Sequence, residues 1–324
     1  MKQITAILLL LTLSLFALAG CGAQSAAGSA SVAAGSGAAS AEAEEEDTGD
    51  AAKDDPLNQD GIGERELRVA SFGTSFNDSR RLTIGAIEKR MADTFPDWSV
   101  RRGFTSQIII DHIQKRDKVA IDNITQALDR AADNKVKTLV VQPTHLMYGL
   151  EYKDLEKEVG KYTDAFEKVA IGAPLLDTDG DMADVVDAIV KATAEYDDGE
   201  TAIVFMGHGT EADSNGVYAK MQQVLTDSGH KHYFIGTVEA SPTVQDVLKQ
   251  VKKGSYKKVV LEPLMIVAGD HANNDMAGDE EDSWKSIFEK EGYEVTCVLR
   301  GLGELEDIQN ILVRHAQSAM DSVK

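Results

Sequence analysis

Cysteine is almost absent: Cys21 and Cys297 are the only two in 324 residues. That excludes a disulfide framework and the close-spaced thiolate clusters of structural zinc sites. A basic stripe is also missing. The 54 acidic residues outnumber 33 basic ones and give a formal net charge of −21, which argues against nucleic acid as a partner. The amino-terminal apolar run, residues 4–18, is shorter than the roughly 20 residues of a membrane-spanning helix. Two further devices are missing. The loop "SFGTSFNDS" has neither the lysine nor the spacing of a phosphate-binding loop. The turn "GHG" lacks the serine of a hydrolase nucleophile elbow.

The chain starts "MKQITAILLLLTLSLFALAGCG". Lys2 followed by a short apolar run reads as a signal-peptide core. Leu18-Ala19-Gly20-Cys21 resembles the bacterial lipobox. That resemblance implies removal of residues 1–20 and lipidation of Cys21, with the protein held on the outer side of a bacterial membrane by its lipid alone. Residues 21–65 are Ala, Ser, Gly, Glu and Asp with almost nothing large and apolar, the composition of a disordered tether.

From Leu67 onward, short β-branched runs alternate with helical patterns. This predicts an α/β fold of parallel strands flanked by helices. The pattern occurs twice. "VASFGTS" matches "VFMGHGT", "LVVQPTHLMYG" matches "VVLEPLMIVAG", and "RRGFTS" matches "IGTVEASP". Two similar lobes follow, residues 66–198 and 199–324, each with a four-stranded parallel sheet and a cleft between them. Ligands of such sheets bind beyond the carboxyl ends of the strands.

His145 and His208 both fall just after such a strand, one in each lobe. Two imidazoles facing across a cleft suit a divalent first-row metal. Glu239, after another second-lobe strand, is a third ligand or a proton acceptor. "AGDHANNDMAGDEEDSWK" places Asp270, His271, Asn274 and Asp275 at the cleft, with His271 as proton acceptor or substrate contact. Asp270 and Asp275 also read as helix caps, and Asp279 to Asp282 as a solvated first turn. Ser71, Gly73, Thr74 and Ser75 supply hydroxyls and amides at the matching first-lobe loop. Cys297 reads as a small core residue on a buried strand, His112 as a helix residue facing cleft or core, and His315 as a surface residue of the last helix.

The strings "SFGTSFNDSR", "QPTHLMYGLEY", "FMGHGT", "VEASP" and "PLMIVAGDHANNDMAGDEEDSWK", with "GLGE", together resemble the anaerobic sirohydrochlorin cobaltochelatases of cobalamin biosynthesis. The resemblance implies a two-lobed chelatase fold and insertion of Co(II), with Fe(II) as a second candidate, into a tetrapyrrole without a nucleotide. It implies metal binding by His145 and His208. A glutamate serves some relatives as a further ligand, and Glu239 is the position that suits it. Neutral imidazole is needed for ligation, so activity is expected to fall below about pH 6. The exported front end sets the chain apart from cytoplasmic members. It gives a second expectation, a lipid-anchored haem, tetrapyrrole or metal binding protein serving a transporter. A transporter or further copies of the chain are the protein partners that these readings allow.

Overall fold

The structure, a computed structural model, describes residues 48–324. The signal peptide (1–20), Cys21 and the tether up to residue 47 lie outside the described residues. Among the described residues no helix is long and apolar enough to cross a membrane.

The first half runs β1 (Arg65–Ser71), α1 (Asn77–Leu82), α2 (Ile84–Thr94), β2 (Ser99–Phe104), α3 (Gln107–Asp117), α4 (Ile124–Asp133), β3 (Thr138–Pro143), α5 (Leu150–Gly160), β4 (Lys168–Ile171) and α6 (Asp179–Thr193). The second runs β5 (Thr201–Gly207), α7 (Gly216–Asp227), β6 (Tyr233–Thr237), α8 (Val244–Val251), β7 (Lys258–Pro263), α9 (Trp284–Lys290), β8 (Glu294–Cys297) and α10 (Glu306–Ser322). The sheets are four-stranded, ordered β2-β1-β3-β4 and β6-β5-β7-β8, and every pairing is parallel. The expected α/β class and the doubled four-strand pattern therefore hold. Strand ends align in register: Ser71 lies opposite Phe104, and Gly207 opposite Thr237. Each lobe thus delivers its strand-end loops to one edge.

The central strands are apolar because helices cover both sheet faces; every residue of β5 is buried. One large apolar cluster joins the sheets, running from Leu67 and Val140 through Phe205 and Tyr218 to Ile311 and Leu312. Burying each such side chain contributes roughly 1.5–3 kcal/mol, so the lobes are held together by shared core. The last helix crosses the expected lobe boundary. α10 packs on β3, β4, α2 and α6, so it covers the first sheet although it ends the second half.

Several local expectations change. The helical pattern after "SFGTSF" is interrupted at Thr83, whose hydroxyl bonds the Ser79 carbonyl and whose side chain packs against Gly301 and Gly303. The tether was expected to reach residue 65, yet residues 48–64 lie on the folded unit, with the Asp54 side chain 4% exposed between two arginines. Cys297 is half-buried rather than core, because β8 is an edge strand paired only with β7; burial still pushes its thiol up to about 11. His315 is buried, not at the surface, with Nε2 3.2 Å from Asp181. His112 on α3 is exposed and so does not face the core.

Candidate metal centre

β5 ends in Gly207-His208-Gly209, and the two glycines have different causes. A Cβ on Gly207 would lie 2.3 Å from the Tyr218 ring, so the strand end closes onto that ring. Gly209 has φ +87, and its amide donates to the Tyr218 hydroxyl at 3.2 Å. The turn between them holds His208. Its Nδ1 is 2.8 Å from the Gly209 carbonyl oxygen. A carbonyl only accepts, so Nδ1 carries the proton and the Nε2 lone pair is open.

Glu239 follows β6, and its amide donates to the His208 carbonyl at 2.9 Å. The loop after β7 makes a π-turn, Ala272–Met276, whose wide backbone starts at His271. The His271 ring stands edge-on to that of His208, with centroids 4.8 Å apart. Its Nδ1 is 2.6 Å from a carboxylate oxygen of Asp275. That bond raises the His271 pKa, and burial opposes it. Ligand atoms of His208, Glu239 and His271 all lie within 4.8 Å of one another. Two metal bonds of roughly 2.0–2.2 Å reach about 4.4 Å at most, so the ligand atoms furthest apart draw closer together when they share one ion. Two imidazoles and one carboxylate suit cobalt, iron or zinc. A second group, Asp270, His271 and Asp275, shares His271.

His145 lies two residues after the first-lobe strand β3. It is 9% exposed, and neither ring nitrogen has a hydrogen-bond partner. A buried imidazole left unpaired is costly unless something else engages it. Burial holds its pKa down at about 4, so it is neutral at physiological pH. Its Nε2 is 3.8 Å from a carboxylate oxygen of Glu151, in the first turn of α5. Burial raises the Glu151 pKa, and the His208 ring opposes the rise whenever it carries a second proton. Glu151 therefore links the two lobes' histidines electrostatically. It also lines a hollow of about 310 Å³ with Phe72, Phe104 and Asp154. Sequence reasoning passed over it. The available signal is its place six residues after His145, within "QPTHLMYGLEY".

The structure thus gathers His208, Glu239 and His271 around one point, and sets His145 beside Glu151. The first-lobe loop is different. Ser71 is buried, and its hydroxyl accepts from Thr144 at 2.9 Å. Thr74 is buried, with its hydroxyl accepting from the Phe76 amide at 3.2 Å. Gly73 has φ +102 against the Phe104 ring, and the Ser75 carbonyl accepts from Arg116 at 2.6 Å. These groups shape the loop more than they face a ligand. Asp270 accepts from Asn274 at 2.9 Å, which braces the π-turn; neither Asp270 nor Asp275 caps a helix by its side chain. Ser283 caps α9, so Asp279 to Asp282 precede that helix.

Two parallel four-stranded lobes with histidines at the strand ends define a two-lobed metal chelatase architecture. The comparisons agree. The family model for cobalt chelatase (CbiK) matches residues 65–321. The chain belongs to the cobalt chelatase (CbiK) family. It is 34% identical over 258 residues to the sirohydrochlorin cobaltochelatase of Salmonella typhimurium, covering 80% of this chain and 97% of that one. It is 33% identical over 262 residues to the sirohydrochlorin cobaltochelatase CbiKC of Nitratidesulfovibrio vulgaris, covering 80% and 92%. Among solved structures, SirB from Bacillus subtilis with Fe3+ superposes with a TM-score of 0.59 at 12% identity, covering 80% of this chain and 97% of that one, a likeness of fold.

Proposed function

We propose that the protein inserts Co(II) into sirohydrochlorin or a closely related tetrapyrrole in the cleft between its lobes, with Fe(II) as a second metal and no nucleotide. The observation that carries this reading is the convergence of His208, Glu239 and His271 within 4.8 Å, in a chain whose relatives at 34% and 33% identity are named as sirohydrochlorin cobaltochelatases. His208 and His271 each offer an open Nε2, and Glu239 adds a negative charge that partly offsets the metal's. His145 is neutral and unpaired, and takes the metal from the first-lobe side.

Insertion exchanges one divalent cation for two pyrrole protons. The metal–nitrogen bonds form as the two N–H bonds break, so two protons need acceptors. His271 takes one when its Nε2 is not bound to metal, and Asp275 stabilises the imidazolium that results. Glu151, whose pKa burial raises, accepts another and passes it to the solvent in its hollow. The metal lowers the pKa values of the groups around it and assists both departures.

The lipobox resemblance at Leu18-Ala19-Gly20-Cys21 supports a location outside the cytoplasm, with a lipid on Cys21 as the anchor. The same lipobox favours a second reading, a lipid-anchored tetrapyrrole or metal binding protein that serves a transporter. The test is optical. Purified protein is mixed with sirohydrochlorin and Co(II), and the absorption change of insertion is followed against buffer. Acceleration supports the chelatase; tight tetrapyrrole binding without acceleration supports the carrier.

A further inference from the structure

Residues 48–60 precede the stretch matched by the family model, yet they are bound tightly to the first lobe. The Thr48 carbonyl accepts from the Asp78 amide at 2.8 Å, and the Gly49 carbonyl from Asn77 at 3.1 Å. Farther along, the Leu57 carbonyl accepts from the Arg102 amide at 3.3 Å, and Asp60 pairs with Arg130 at 3.0 Å. Between these points Asp54 enters the lobe. Its carboxylate accepts from Arg80 at 2.6 Å and from both terminal nitrogens of Arg102 at 2.6 and 2.9 Å.

The charge balance makes this segment necessary. Arg80 and Arg102 are 0% and 1% exposed, and the only carboxylate of residues 65–321 bonded to either is Glu88, which pairs with Arg102. Without Asp54, two buried guanidiniums would share one buried carboxylate. An uncompensated buried charge is strongly destabilising. Arg80 then leads to the cleft. It donates to the Thr74 carbonyl at 3.0 Å and to Asn77 at 2.5 Å, at the start of α1. Thr74 faces Gly269 of the second lobe, where a Cβ would lie 3.0 Å from its hydroxyl. From α1, Ser79 accepts from the Ala268 amide at 3.0 Å. Residues 268 and 269 lead directly into Asp270 and His271.

We propose that residues 48–60 form a strap that positions the insertion cleft, with Asp54 as its positioning residue. Through Arg80 it fixes Thr74 and α1, and through these the loop that carries His271. The role of the cleft rests on the chelatase reading; the strap itself does not. When the strap is loosened, the loop is ordered for only part of the time. Apparent affinity falls by that fraction, while the saturated complex reacts normally.

The full chain is compared with Asp54→Ala and the milder, isosteric Asp54→Asn by hydrogen exchange and by steady-state kinetics. In the unmutated chain the amides of Asp78 and Arg102, bonded to the strap, should be strongly protected. In Asp54→Ala those amides and that of Ala268 should exchange at least about tenfold faster, with Val260 in β7 unchanged. The KM for sirohydrochlorin should rise about tenfold with kcat within about twofold, and Asp54→Asn should fall between. Should Asp54→Ala fail to fold, Asp54→Asn carries the same pattern at smaller size. Free exchange at Asp78 and Arg102 in the unmutated chain would overturn the strap. So would unchanged Ala268 exchange and unchanged KM in both variants. If the unmutated chain shows the exchange pattern but inserts no metal, the chelatase reading fails and the strap stands.

Discussion

The imidazoles of His208 and His271 meet edge to face with centroids 4.8 Å apart, and both are held in the tautomer that leaves Nε2 open. His208 donates Nδ1–H to a carbonyl, and His271 donates it to the Asp275 carboxylate. Two rings on loops after different strands, β5 and β7, are thus aimed and prepared as ligands by their outer neighbours.

Removing the first ring should abolish the reaction and spare the fold. His208→Ala is expected to lower the insertion rate at least about 100-fold, with a melting temperature within a few degrees of the unmutated chain, since His208 is on a cleft loop. Asp275→Asn should cost about 10–100-fold, because it leaves both ligands in place and removes only the orienting carboxylate. Insertion assays and thermal melts on the two variants check this.

Acid should limit activity earlier than histidine's ordinary value suggests. The Asp275 hydrogen bond raises His271 above about 6.5, so His271 gains its proton while the pH is still near neutral. A protonated ring neither ligates nor accepts a proton. The acid limb of kcat/KM should therefore have its midpoint above about 6.5, and Asp275→Asn should move it to lower pH. This revises the fall below about pH 6 expected for an ordinary histidine. His145, held at about 4, does not set the limb.

His145 should appear instead in the stability of the metal-free protein. Its folded pKa of about 4 lies below the unfolded value near 6.5. Folding therefore favours the neutral ring. The stability it contributes is present above about 6.5 and is lost as pH falls towards 4. The loss by pH 4.5 amounts to roughly 2–3 kcal/mol. Urea unfolding at pH 7 and 4.5 should show His145→Leu losing less stability on acidification than the unmutated chain. Equal losses would mean that His145 titrates normally.

Glu151→Gln should slow insertion about tenfold or more, with little change in stability, since the side chain is half open to solvent. Kinetics in parallel with a thermal melt separate this from a folding defect.

How much of this was legible depends on what each residue answers to. Strand order, the doubled pattern and the strand-end histidines follow from apolar runs and from the rule that parallel sheets bind ligands at their carboxyl edge. His271 was legible as a cleft residue. Its grouping with His208 and Glu239, which leaves His145 beside Glu151, depends on a π-turn that carries no strong sequence signature. Glu151 passed unnoticed because a glutamate in a first helical turn already has an ordinary reading through the helix dipole. Asp54 was hidden by composition: it is one acid in a run of Ala, Gly and Asp, and its partners Arg80 and Arg102 are distant in sequence. His315 was misplaced because α10 turns back to cover the first sheet, and nothing in its own periodicity names that surface.

The most direct test of the central claim is metal insertion itself. The protein, as purified, is mixed with sirohydrochlorin and Co(II), and the rate of the absorption change is compared with that of buffer and of His208→Ala. The account predicts marked acceleration by the unmutated chain and none by the variant. Tight tetrapyrrole binding without acceleration, or full activity in His208→Ala, would contradict it.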